Sequence, residues 1–203
     1  MDSVLALRTL STGDGGVLAE EGSAAAASGN MDALTVWHQM RSSHLEDKDE
    51  VLGQTVLHIA CRNGRVEVAA YLLQLGADVN SRTEAGATPL MLAAQEGHDS
   101  CAALLVEARA DVDARSEVHH ASALHLACRG GHTECARLLA HGGAALNDVV
   151  KTSELFSNGA TALSFAVFAS HRDIEFLLRQ LGAPDAPLTR EAFRSAIEWL
   201  ERF

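Results

Sequence analysis

Apolar residues recur in two short blocks that are separated by a glycine, and this arrangement is repeated along the middle of the chain. In one copy Leu57 and Ala60 precede Gly64, and Val68 and Leu72 follow it. Apolar residues spaced three or four apart lie on one face of a helix. The pattern therefore predicts pairs of short helices, each pair broken by a glycine turn.

A hydroxyl residue opens each copy and fixes its length. Thr55, Thr88, Ser122 and Thr161 hold the same place, with successive spacings of 33, 34 and 39 residues. Their side chains can cap the first helix by accepting from an otherwise unpaired N–H. One such helix pair is too small to bury its apolar face, so neighbouring copies must stack. The sequence therefore predicts an all-α solenoid.

A small residue occupies one position of the first helix in every copy. These residues are Ala60, Ala93, Ala127 and Ala166. Aromatic residues make up only 4% of the chain, although 47% of it is hydrophobic. We therefore expect a core of closely approaching helices filled by Leu, Ala, Val and Ile, without large rings as anchors.

The recurring motifs resemble those of one known family. Thr-x-Leu-His at 55–58 and Leu-Leu-x-x-Gly-Ala-Asp-Val-Asn at 72–80 are similar to the ankyrin repeat, and the resemblance covers about residues 53–187. It implies an ankyrin-repeat solenoid of stacked helix-turn-helix units with β-hairpin-like fingers. It also implies that a partner contacts the finger tips and the concave face of the first helices.

We expect the chain to divide into a tail, five repeats and a final helix. The predicted segments are a disordered tail (1–17), a degenerate capping repeat (18–52), two ankyrin repeats (53–85 and 86–119), a repeat with a finger insertion (120–157), a last repeat (158–187) and a C-terminal capping helix (188–203). In the capping repeat Trp37 falls on the position of Leu72, which predicts a core residue. The final helix is either a lid on the last repeat or a docking helix for a partner.

Five of the ten histidines recur at fixed repeat positions, which favours a structural role over a catalytic one. His58 and His125 occupy the Leu-His position, where the resemblance implies a hydrogen bond that ties neighbouring units. His98, His132 and His171 share the turn between the helices.

The adjacent His119 and His120 fall near a predicted finger tip, where the family prefers glycine. Two exposed imidazoles there could make a pH-sensitive contact with a partner or bind a metal weakly. The sequence supplies no further ligands, so we predict no metal site.

The cysteines also show no chemical motif. Cys61 and Cys128 fill a position that is Ala94 in another copy, while Cys101 and Cys135 match each other on second helices. Small buried residues are the simplest interpretation. Without a nucleophile elbow, phosphate loop or His-Glu-x-x-His motif, we expect no catalytic residues, no cofactor and no enzyme activity.

Charge and hydropathy narrow the expected partners. With 27 acidic and 16 basic residues the chain has a formal charge of -11, which disfavours nucleic acids. No apolar run approaches a membrane span, and Asp2 interrupts any basic signal sequence. We expect an intracellular monomer, in the cytoplasm or the nucleus, that binds a protein.

Positions that vary between copies are the candidates for recognition. The expected partner-binding residues are Arg62, Asn63, Gln95, Glu96, His119, Arg129, Leu155, Phe156 and Phe168. Gln54, Glu84, Ser157 and Asn158 are further variable positions on the fingers. Phe168 either anchors a partner or turns inward. The insertion at 149–156 is either neutral or a functional loop.

The sequence favours an adaptor or scaffold that binds another protein. The alternatives are a stoichiometric inhibitor or assembly chaperone of an enzyme complex, and a regulatory fragment of a larger enzyme. Asp78-Val79-Asn80 also resembles the sites at which an asparaginyl hydroxylase modifies ankyrin fingers, although the repeat consensus gives the same string.

Overall fold

A computed structural model describes residues 15–40, 45–49, 51–117, 120–150 and 160–184. Within these ranges the chain forms five helix pairs and one two-stranded sheet. The helices are α1 (Gly15–Ser28), α2 (Met31–Met40), α3 (Val56–Arg62), α4 (Val66–Gln74), α5 (Pro89–Glu96), α6 (Asp99–Glu107), α7 (Ala123–Gly130), α8 (Thr133–His141), α9 (Ala162–Phe168) and α10 (Arg172–Gln180). Strands β1 (Val149–Val150) and β2 (Ala160–Thr161) lie between α8 and α9.

The beginning of α1 corrects the predicted boundary of the N-terminal tail. The helix starts at Gly15, so residues 15–17 are helical although they were expected to be disordered. Leu18, Ala19 and Glu20 follow, and these strong helix formers propagate the helix towards its N-terminus. Residues 1–14 lie outside the described part of the chain.

Hydroxyl residues start the first helices, as the repeat predicts. The Thr88 hydroxyl accepts a hydrogen bond from the amide of Met91 at 3.4 Å, and Pro89 occupies the first turn, where it needs no N–H partner. The Thr161 hydroxyl accepts from the amide of Ser164 at 3.2 Å.

The pairs stack in register. First helices α3, α5, α7 and α9 contact one another in succession, and second helices α4, α6, α8 and α10 do the same. The four alanines at the repeated first-helix position are fully buried: Ala60, Ala93, Ala127 and Ala166. One continuous apolar core therefore runs through the units, and the expected all-α solenoid is confirmed.

The first pair joins the stack in a modified form. Helix α1 contacts both α2 and α3. Trp37 is only 5% exposed, and a Cβ added at Gly22 would lie 2.5 Å from its ring. The prediction that Trp37 belongs to the core is confirmed, because Gly22 leaves room for the indole between the two helices.

Second helices end on a residue with positive φ. Gly76 and Gly143 have φ of 94° and Gly182 has φ of 80°. Arg109 takes this position in the third unit with φ of 63°. Glycine adopts this left-handed conformation without a steric penalty, whereas a side chain at the same place is strained.

The fingers are hairpin turns that project beside the first helices. In one finger the amide of Thr83 donates to Ala87 O at 3.0 Å, and the amide of Ala87 donates back to the Thr83 hydroxyl at 3.0 Å. In the finger with the insertion, β1 and β2 pair antiparallel, with Val149 opposite Thr161 and Val150 opposite Ala160. The described base of this finger is therefore paired.

Candidate interaction surface

The ends of the first helices form one row across the stack. Arg62, Gln95, Arg129 and Phe168 occupy the same repeat position, and the backbone of the first three is fixed by the next unit. His98 Nε2 donates to Arg62 O at 3.0 Å, His132 Nε2 to Gln95 O at 3.0 Å and His171 Nε2 to Arg129 O at 3.3 Å. Arg65 plays the same part in the second unit, because its Nε donates to Ala27 O at 2.9 Å.

Glycines make room for these imidazole bridges. A Cβ added at Gly64 would lie 2.7 Å from His98 Nδ1, and a Cβ at Gly97 would lie 2.3 Å from His132 Nδ1. The imidazole ring of each turn histidine therefore packs against the glycine of the preceding unit. The structural role expected for these turn histidines agrees with this geometry, since each ring tethers one unit to the next.

The side chains of this row, and those of the residues that follow it in sequence, differ in exposure. Arg62, Asn63 and Glu96 are exposed, while Gln95 and Arg129 are half-buried. The Asn63 side chain donates back to Ile59 O at 2.8 Å. The stack thus presents a short strip of mixed charge.

Phe168 turns partly inward. Its ring is half-buried and packs against the hydrophobic core. Of the two orientations that the sequence left open, the inward one dominates, so only part of the ring is available as a binding anchor.

Several predicted positions do not contribute to a described surface. His119, Leu155, Phe156, Ser157, Asn158 and the helix expected at 188–203 lie outside the described residues. Gln54, expected to vary because it faces a partner, is only 7% exposed. The backbone amide of Gln54 donates to Asp49 Oδ2 at 3.1 Å, so Gln54 is part of the finger turn.

The Leu-His imidazoles lie in the core and join units through the backbone. Thr55 N–H donates to His58 Nδ1 at 3.2 Å, which leaves Nε2 to donate to Ala87 O of the next finger at 3.1 Å. His125 repeats the arrangement with Ser122 and with Asp148 O at 3.2 Å. Burial lowers the pKa of both imidazoles to about 4. These rings therefore remain neutral and serve as scaffold.

The finger tips form a second row, which the sequence interpretation missed in part. Val51, Glu84 and Glu117 lie in the turns of three successive fingers, and all three are exposed. Glu84 N–H donates to Leu52 O at 3.3 Å, and Glu117 N–H donates to Ala85 O at 3.0 Å. Backbone hydrogen bonds thus hold successive tips side by side. No sequence signal singles out Val51, because its exposure depends on how the finger turn folds.

The two rows lie at opposite ends of the first helices. Helix α3, Val56–Arg62, has seven residues, so its length of about 10 Å at 1.5 Å per residue lies between the base of the finger at Thr55 and Arg62. The predicted site residues therefore do not converge on a single point.

A ladder of side-chain to backbone hydrogen bonds joins the segments that follow the second helices. Glu46 Oε1 accepts from the amide of Asp78 at 2.8 Å, and Asn80 Oδ1 accepts from the amide of Asp111 at 2.8 Å. Asp113 Oδ1 accepts from the amide of Ala145 at 2.8 Å. The side chain of Asn80 thus has a structural contact, and its modification stays a prediction.

The four cysteines are buried and carry free thiols, as expected of small core residues. Burial raises the pKa of the Cys128 thiol well above its ordinary value, which disfavours the nucleophilic thiolate. No cluster of three or more metal-binding side chains occurs in the described parts of the chain. None of the helices described above is long and apolar enough to cross a membrane.

Stacked helix pairs with hairpin fingers, joined by repeated hydrogen bonds to the backbone of the neighbouring unit, define a repeat solenoid. The family model for ankyrin repeats, in three copies, matches residues 23–116 and 112–186. The chain therefore belongs to the ankyrin-repeat family. Ankyrin repeats are generally protein–protein interaction modules. Comparison with curated proteins gives no match.

Proposed function

We propose that this protein is a non-enzymatic adaptor or scaffold that binds a partner protein through its first-helix ends and finger tips. We expect it to act in the cytoplasm or the nucleus, in keeping with four cysteines that all carry free thiols. We infer the binding face from positions where the backbone contact is repeated but the residue type varies.

One observation carries the proposal. At a single repeat position the backbone carbonyl is committed to the next unit, whereas the side chain changes from Arg62 to Gln95 to Arg129. The carbonyl makes the same contact in each unit, although the residue type differs. A position that varies in residue type while its backbone contact is kept can be adapted to a partner, which is how repeat scaffolds acquire extended binding surfaces.

The experiment is quantitative affinity capture from cell lysate with the full chain. The test variant is Arg62→Ala/Arg129→Ala in the first-helix row. The matched control is Arg137→Ala/Arg172→Ala, which removes the same charge from exposed arginines of the second helices. Circular dichroism and the thermal midpoint establish that both variants are folded.

We expect a discrete set of proteins to be retained by the wild type and the control and depleted by the test variant. A kinase or proteasome subunit among them would favour the inhibitor or chaperone role over the adaptor role. Equal capture by all three proteins would contradict the first-helix row as the binding site.

A further inference from the structure

The tip of the first complete finger presents two adjacent apolar side chains to solvent. Val51 is 82% exposed and Leu52 is 48% exposed. Neither contributes to the core. Counted back from the hydroxyl residue that caps the following helix, the next finger carries Glu84 at the position of Val51, so the repeat scaffold has no need of an apolar residue there. Contiguous exposed apolar surface is typical of interaction sites.

The finger turn holds this apolar pair in a fixed place. The Asp49 carboxylate accepts from the amides of Val51 at 3.0 Å and Leu52 at 2.6 Å through Oδ1, and from the amide of Gln54 at 3.1 Å through Oδ2. Three backbone donors of one turn are thereby satisfied by one side chain. A preorganised apolar tip loses little conformational entropy when it binds.

The two glutamates beside this tip are also positioned by the scaffold. A Cβ at Gly53 would lie 2.7 Å from Glu84 Cγ, and a Cβ at Gly86 would lie 2.6 Å from Glu117 Cγ. Each glutamate stem therefore lies across the glycine of the preceding finger. Neither carboxylate takes part in an ion pair within the described parts of the chain.

Two arginines of these fingers have partners elsewhere. Arg82 Nη1 donates to Arg115 O at 2.9 Å, and Arg115 forms an ion pair with Asp148. With these arginines paired, the exposed carboxylates of Glu84 and Glu117 favour a cationic partner group.

We propose that the finger-tip row, consisting of Val51, Leu52, Glu84 and Glu117, binds an extended segment of a partner protein that combines an apolar residue with basic residues. The apolar residue packs on Val51 and Leu52, and Lys or Arg side chains pair with Glu84 and then Glu117. Adjacent units are about 10 Å apart, which an extended chain spans in about three residues. The segment therefore carries its apolar anchor and its cations at intervals of about three residues. This inference rests on the proposed function and specifies the chemistry of its partner.

The test uses a random peptide library displayed on phage and selected on the full chain. The best synthetic peptide is then measured by fluorescence polarisation at low and high salt. One variant is Val51→Ser/Leu52→Ser, and its control is Phe176→Ser, which removes an apolar side chain that is 64% exposed on α10. The second variant is Glu84→Gln/Glu117→Gln, and its control is Glu67→Gln/Glu107→Gln on the second helices.

We expect enriched peptides with an apolar residue and at least two basic residues, binding more weakly as salt rises. Each finger variant should raise Kd about tenfold or more, while each control should leave it almost unchanged. Peptides without basic residues, or peptides insensitive to both finger variants, would overturn the inference. If such insensitive peptides instead bind the Arg62→Ala/Arg129→Ala variant more weakly than the wild type, the finger-tip site is wrong and the proposed function stands. If no peptide is enriched, the finger-tip proposal fails and the capture experiment decides the proposed function by itself.

Discussion

Individual residues decide where each unit can turn. The ends of the second helices require a positive φ, and three of them use glycine while the third unit uses Arg109. His120 replaces glycine in a finger and has φ of 51°. The positive φ of these two residues could be predicted from the sequence. Each replaces a glycine of the repeat, and the fold requires the same backbone conformation at that position in every unit.

Replacing Arg109 by glycine should stabilise the protein. The left-handed conformation costs a residue with a side chain roughly 1 kcal/mol, so we expect the free energy of unfolding to rise by about 0.5–1 kcal/mol. Urea denaturation at constant pH measures the change. The reverse variant Gly76→Ala should lower the free energy of unfolding, because Gly76 has φ of 94°. An added Cβ there would meet no atom within 4 Å, so the loss would come from backbone strain and not from a clash. Arg109→Gly that loses stability would contradict the strain argument.

The buried His58 and His125 should make the fold sensitive to mild acid. Burial is the main cause of their pKa of about 4; Lys48 lowers and Asp49 raises the pKa of His58, and Arg115 lowers that of His125. The unfolded imidazole has a pKa near 6.5, so it binds protons that the native one rejects. The two imidazoles therefore do not reduce the free energy of unfolding above about pH 6.5, and they reduce it progressively as the pH drops towards 4.

Between about pH 6 and 5 each imidazole should cost on the order of 1 kcal/mol of stability per pH unit. The urea midpoint of the wild type should fall over this interval, and that of His58→Gln/His125→Gln should fall less. A variant that keeps the full decrease of the wild type would show that the acid sensitivity has another origin.

At the scale of the helices and fingers, repetition made most elements predictable. Threonine or serine caps, turn glycines and the place of Trp37 each follow from aligning one copy with another. The exposure of single side chains does not follow, because it depends on the neighbouring unit: Gln54 is drawn into a turn by Asp49, and Phe168 folds onto the core. The start of α1 was missed because Gly15 and Gly16 oppose a helix that the next residues favour.

Close approach of the paired helices is a property of the alanine position. Ala93 is fully buried between α5 and its neighbours, so Ala93→Leu should lower the free energy of unfolding by roughly 1–3 kcal/mol through overpacking. The same substitution at the half-buried Ala103 of α6 is the control and should have a smaller effect. Equal thermal midpoints for the wild type and Ala93→Leu would contradict this packing scheme.

At the scale of the whole molecule, each unit is held by the unit beside it. The turn histidines tether one unit to the previous first helix, while His58 and His125 reach the next finger. The same repetition that reveals this scaffold from the sequence hides the partner, because binding depends on the positions where the copies differ. Val51 became visible as a candidate only when the fingers could be compared for exposure and for contacts.

Interdependence of the units is the central claim, and native-state hydrogen exchange of Gly97→Ala tests it most directly. Gly97 has φ of 75°, and an added Cβ would lie 2.3 Å from His132 Nδ1 in the next unit. We predict that amide exchange becomes faster in α7 and α8 as well as in α5 and α6, because the substitution disrupts an interface that both units share. Faster exchange confined to α5 and α6, with α7 and α8 unchanged from the wild type, would contradict the claim.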